Sequence, residues 1–125
     1  MRRLLLMMFA VVGLGGCDGV PFLRGCTLIG CGDGLTVVLA NAPAGAFAVE
    51  VRVPGAVARR QECASAAACE TMRFDGVVAA EATVAIITPA GEVTRTVRPE
   101  YVVSRPNGPD CEPTCRQARV TVSAS

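Results

Sequence analysis

The stretch AFAVEVRVPG, residues 46–55, sets Phe47, Val49, Val51 and Val53 on one side of an extended chain and Ala48, Glu50 and Arg52 on the other. A period of two residues is the pattern of a strand with one buried face, because successive side chains of an extended backbone point to opposite sides. An α-helix would scatter the same valines around its circumference. The pattern therefore marks a half-buried strand and asks for a sheet whose inner face meets another layer.

The rest of the chain repeats this grammar. LTVVLANAP places Leu35, Val37 and Leu39 on one face, and NAPAG, residues 41–45, supplies the proline and glycine of a turn. ETMRFDG turns Met72 and Phe74 inward and ends at an Asp75-Gly76 turn. EATVAIITPAGEVTRTVRPEY reads as a hairpin, with Val84 and Ile86 on its inner face, a turn over residues 88–92 and a return through Val93 to Val97. The returning strand is expected to continue through Tyr101, Val102 and Val103 across a kink at Pro99, since proline has no N–H to donate to a ladder. RPNGPDCEPTC is a loop of prolines and turn residues, and QARVTVSAS closes the chain as a strand with Val120 and Val122 inward.

AVARRQECASAAACE carries enough alanine for a helical turn or two. About seven short strands with no longer helix predict an all-β, Ig-like antiparallel β-sandwich.

The N-terminus follows another logic. Arg2 and Arg3 precede an apolar block from Leu4 to Leu14, which gives way to Gly15, Gly16 and Cys17. A basic start, a short apolar middle and small residues at the end make a secretory signal. The block is shorter than the roughly 17 to 25 residues of a transmembrane helix. Leu14-Gly15-Gly16-Cys17 resembles the lipobox of bacterial lipoproteins. The resemblance implies cleavage before Cys17, a diacylglycerol on its sulfur and an acyl chain on the freed amine. Two or more chains give stable membrane attachment where one gives marginal binding. It also implies a cell-envelope location facing the periplasm, with inner versus outer membrane left open: Asp18, second in the mature chain, resembles an inner-membrane retention signal of enteric bacteria only.

The expected organisation is a signal peptide over residues 1–16, a lipidated tether over 17–34 and the Ig-like domain over 35–125. CTLIGCGDGLTV before the first strand and SRPNGPDCEPTCRQARVTV near the end, taken with the lipobox, are similar to small proteobacterial lipoproteins with an Ig-like domain. That family has no assigned function, so the resemblance speaks to fold.

With Cys17 given to lipid, six of the seven cysteines remain: Cys26, Cys31, Cys63, Cys69, Cys111 and Cys115. An even number in an exported chain predicts three disulfides. Cys63 and Cys69 flank a small-residue loop and pair locally. In a sandwich whose first and last strands lie side by side and parallel, Cys31 and Cys115 come to one end, so the Cys26/Cys31 pair is expected to bond to the Cys111/Cys115 pair. Local Cys26–Cys31 and Cys111–Cys115 bridges are the alternative. Loop closure ranks the long bridges at about 4.5 kcal/mol and a five-residue loop at about 2 kcal/mol.

The chain has no histidine, which withdraws the usual general base, the serine triad and the commonest metal ligand together. All twelve basic residues are arginines, as a GC-rich genome favours; without Arg2 and Arg3 ten remain against eleven acids, a balance of −1. They are scattered along the chain, which is no footprint for nucleic acid. The acids occupy strand surfaces and turns, where a catalytic carboxylate pair is not indicated. These features predict a non-enzyme with no cofactor, no nucleic acid and no small-molecule substrate. Its contacts are the membrane through its N-terminal lipid and an envelope protein partner.

Cys111-Glu112-Pro113-Thr114-Cys115 resembles the Cys-x3-Cys copper and redox motif of cytochrome oxidase assembly chaperones, which makes copper or thiol handling the alternative function. This chain lacks the histidine and the α/β pattern of those proteins. Tyr101 between Arg98 and Arg105 is the one aromatic cluster with the composition of a binding hot spot, against a packing role at the sandwich edge.

Overall fold

The computed structural model describes residues 25–125; the signal peptide, Cys17 and the predicted tether as far as residue 24 lie outside the described residues. Eight strands form two four-stranded sheets. The strands are β1 (Gly34–Ala40), β2 (Phe47–Arg52), β3 (Arg59–Cys63), β4 (Thr71–Asp75), β5 (Ala82–Thr88), β6 (Gly91–Val97), β7 (Val102–Ser104) and β8 (Cys115–Ser123), with a single 3-10 turn over Ala67–Cys69. One sheet runs β4-β1-β8-β7 and the other β3-β2-β5-β6. The chain is a disulfide-stapled β-sandwich, as the alternation requires.

β1 and β8 pair in parallel from Gly34 opposite Gln117 to Ala40 opposite Ser123, and every other pairing is antiparallel. The inner faces are those read from the sequence. Leu35, Val37, Val49, Val51, Met72, Val84 and Ile86 are fully buried, and Leu39, Phe47, Phe74, Ala118 and Val122 nearly so. Val53, Val97, Tyr101 and Val120 pack against this cluster from its rim. Ala48 and Ala85 lie on the outward face of the second sheet yet are also buried. Ala48 sits between Glu62 and Ile87, and Ala85 between Glu50 and Thr94, so longer cross-strand neighbours close over a methyl group.

Two elements depart from expectation. RRQEC is a strand, β3, rather than part of a helical turn; only the segment after it, Ala67–Cys69, makes a 3-10 turn. It is an edge strand with mostly exposed side chains, so it carries no apolar alternation to read. β6 and β7 are not one kinked strand: β6 pairs with β5 and β7 with β8, so residues 98–101 carry the chain from one sheet to the other. The strand count is thereby eight rather than about seven.

Strand directions define two ends. At one, β1 and β8 begin and β4 ends; the 76–81 connection leads to the start of β5, which lies beside the ends of β2 and β6. This entry end receives the N-terminal segment. The far end holds the 41–46 turn, the 64–70 loop and the Pro89-Ala90 turn.

Candidate functional site

The chemistry singled out in the sequence gathers mainly at the entry end. Cys26 is bonded to Cys111 and Cys31 to Cys115, with Cα atoms 5.7 and 6.1 Å apart. Both separations fall in the range a disulfide spans. The parallel β1–β8 pair explains the connectivity: Cys31 stands three residues before Gly34 and Cys115 two before Gln117, which are register partners. The local alternative for these four cysteines does not occur. Cys63 and Cys69 are bonded to each other, 5.7 Å apart at Cα, where the chain passes from β3 in one sheet to β4 in the other. Both are buried, with the Cys63 sulfur 4.0 Å from that of Met72.

Hydrogen bonds reinforce the bridges at the entry end. The Asn107 amide accepts from the Ile29 N–H at 2.9 Å and donates to the Ile29 carbonyl at 2.8 Å, so one side chain pairs with that residue as a neighbouring strand would. The same amide accepts from the Thr27 hydroxyl and donates to the Glu112 carbonyl. Below it, the Asp33 carboxylate accepts from the Arg116 N–H at 2.7 Å, and the Asp33 carbonyl accepts from the Gly76 N–H at 2.9 Å. The Arg73 guanidinium donates to the Gly32 carbonyl at 2.9 Å, and Gln117 donates to it at 3.1 Å. Residues 26–33 are thus fastened along their length. In the sequence Asn107 is one of several turn-formers in RPNGPDC; nothing in its neighbourhood marks a partner 78 residues away.

Tyr101 takes the packing role. Its hydroxyl accepts from the Ala79 N–H at 3.0 Å and lies 3.4 Å from the Val77 carbonyl, while its ring joins the core rim. Arg98 turns instead to Glu81 at 3.1 Å and Arg105 to the Pro109 carbonyl, so no aromatic-arginine cluster assembles.

Charges also assemble on the outward face of the second sheet. Arg52 donates to Glu50 at 2.6 Å and to Glu92, and Arg60 binds Glu62 at 2.6 Å and approaches Glu50 at 3.7 Å. The hydrogen bond from Arg52 holds the Glu92 carboxyl below the usual carboxylate range. Arginine neutralises each of these three acids.

Cys111 and Cys115, the candidate thiolate pair, belong to different bridges, and a disulfide sulfur is not the soft anionic donor that Cu(I) requires. Among the described residues no group of three or more His, Cys, Asp or Glu side chains is placed to hold a metal ion. No helix among them is long and apolar enough to cross a membrane. Comparison of the chain with protein-family models, with curated proteins and with solved structures finds no match.

Proposed function

We propose that this chain is an extracytoplasmic lipoprotein of the bacterial cell envelope, cut before Cys17 and held to the membrane by acyl chains on that residue. Its sandwich is a non-catalytic module for protein interaction or envelope structure. The observation that carries the reading is the cysteine balance. Three bridges engage six of the seven cysteines, and the seventh is Cys17, the residue that completes Leu14-Gly15-Gly16-Cys17. Three structural disulfides fit an oxidising compartment, which is where a signal peptide delivers a chain.

The test is expression with the native leader in a bacterial host, followed by fractionation and intact mass of the mature protein. The expected product begins at Cys17, carries the mass of a diacylglycerol and an N-acyl chain, and sediments with membranes. Cys17→Ser abolishes the added mass and releases the protein from the membrane fraction or leaves its leader uncut. A wild-type mature N-terminus without acyl groups overturns the proposal.

A further inference from the structure

The large apolar side chains that stand exposed among the described residues are Leu28, Ile29, Val57, Val78, Val102 and Val103, with Leu28 99% and Val57 88% exposed. They come from four separate segments: the N-terminal segment, the β2–β3 loop, the β4–β5 connection and β7. All four lie at the entry end. Scattered single apolar residues are ordinary on a protein surface, whereas their collection at one end marks a contact surface. A groove of about 430 Å³ lies beside two of them, Val57 and Val78, and is lined also by Val51, Val53, Arg59 and Val77. The far end is made of Asn41 to Gly45, Ser65, alanines and Pro89.

We propose that the entry end seats on the bilayer itself, with the exposed Leu28 inserted among the acyl chains at the membrane interface. The inference rests on the lipid anchor proposed above, and two observations choose a lipid surface as the occupant. The first is reach. Cys26 stands nine residue steps after Cys17, and an extended chain of that length spans at most about 30 Å, so an anchored protein keeps this end within that distance of the membrane. The second is rigidity. Leu28 is presented between two disulfide-bonded cysteines, with Thr27 and Ile29 held by Asn107, so its insertion orders no new backbone.

Charge at this end selects no headgroup. Arg98 is paired with Glu81 at 3.1 Å and Arg73 with Asp75 at 2.7 Å, and Arg59, Arg105 and Arg116 share this end with Asp33, Glu100, Asp110 and Glu112, so contact depends on apolar insertion rather than attraction to anionic lipid. Quenching is accordingly expected to change less than about twofold between roughly 0.05 and 0.5 M salt.

The chain has no tryptophan, so an indole introduced at one site reports on that site alone. The full protein, expressed with its native leader and its N-terminal mass recorded, is reconstituted in phosphatidylcholine vesicles containing a shallow brominated lipid. Leu28→Trp is expected to be quenched and blue-shifted and Ser65→Trp, at the far end, to be neither. In Val57→Trp, adding Leu28→Asp lowers the quenching about tenfold, as the loss of one buried leucine's transfer energy implies. Equal response at the two ends, or none at Leu28→Trp with the acyl mass present, overturns the proposal. So does a lipid-free dimer in sedimentation that Leu28→Asp dissociates, which assigns the surface to a second copy. A mass spectrum without acyl groups overturns the anchor and leaves this inference to vesicle flotation of the unacylated protein. Flotation abolished by Leu28→Asp then supports it, and absence of flotation overturns it.

Discussion

The two ends of the sandwich are built from opposite materials. The far end turns the chain with small residues and needs one local bridge, Cys63–Cys69, across six positions. The entry end joins segments some 80 residues apart, through Cys26–Cys111 and Cys31–Cys115, and lays Asn107, Arg73 and Asp33 across the join. The fold needs little at the far end beyond reversal of direction. At the entry end a segment with almost no apolar periodicity must be held, and burial cannot hold it, since residues 25–30 are exposed. Covalent bonds and hydrogen bonds replace the missing core.

The difference between the ends is sharpest in the bridges. With either long bridge intact, the other closes a loop of only about ten residues and contributes about 2.5 kcal/mol, similar to Cys63–Cys69. Removing both also frees the closure of the large loop, so the quadruple variant of Cys26, Cys31, Cys111 and Cys115 to alanine is expected to lose about 7 kcal/mol. That exceeds the sum of the two single-bridge losses. Urea denaturation of the three variants checks this, and additivity of the two losses would break the contrast with the far end.

Gly34 offers a smaller effect. A Cβ there would stand 3.0 Å from the Arg73 guanidinium and 3.1 Å from the Phe74 carbonyl, in the seam where β1 begins. Gly34→Ala is expected to cost about 1–3 kcal/mol through forced displacement. At Gly25 the added atom meets nothing, and alanine is expected to be neutral in the same denaturation assay.

Asn107→Asp tests the clamp with almost no change of shape. A carboxylate in place of the amide cannot donate to Ile29 or Glu112 and faces their carbonyl oxygens instead. The expected cost is about 1–2 kcal/mol, with faster hydrogen exchange at the Ile29 amide and unchanged exchange in β5.

These elements also show why some of the molecule was readable in advance and some was not. β1, β2, β4, β5 and β8 each bury alternate apolar residues, and that regularity is written locally. The joining of the N-terminal cysteine pair to the C-terminal pair was legible because one topological assumption, parallel first and last strands, brings Cys31 and Cys115 together; the partner of each cysteine was not. β3 was not legible, since an edge strand of Arg59, Arg60, Gln61 and Glu62 satisfies its backbone against β2 without an apolar face. The passage between β6 and β7 has no mark of its own in the sequence, because a proline interrupts a strand and a crossover in the same way. Asn107 was visible as a turn residue, while its bonds to Ile29 depend on how distant segments are folded together. Of the candidate site, the cysteines were accessible to sequence reasoning and the hydrogen-bonded clamp was not.

The smallest expected effect belongs to the outward face of the second sheet, away from the covalent seam. The folded pKa of Glu92 is depressed by Arg52, so its contribution to stability is present above the unfolded carboxylate pKa. It is lost as pH falls through the lower folded value. In acid titrations of wild type and Glu92→Gln, the stability difference is expected to vanish at the acid end and to shrink in high salt. Persistence of the difference below the folded pKa would assign it to packing.

The covalent seam also fixes where a mechanical load travels. A pull on residues before Cys26 enters Cys111 directly, with Cys31–Cys115 as a second path, before any tension reaches the β1 hydrogen bonds. The strand that a pull on this segment would otherwise unzip is therefore bypassed. Everything from β1 to β7 lies inside the covalent ring closed by Cys31 and Cys115, where a tug on the residues before Cys26 is a displacement of the whole body.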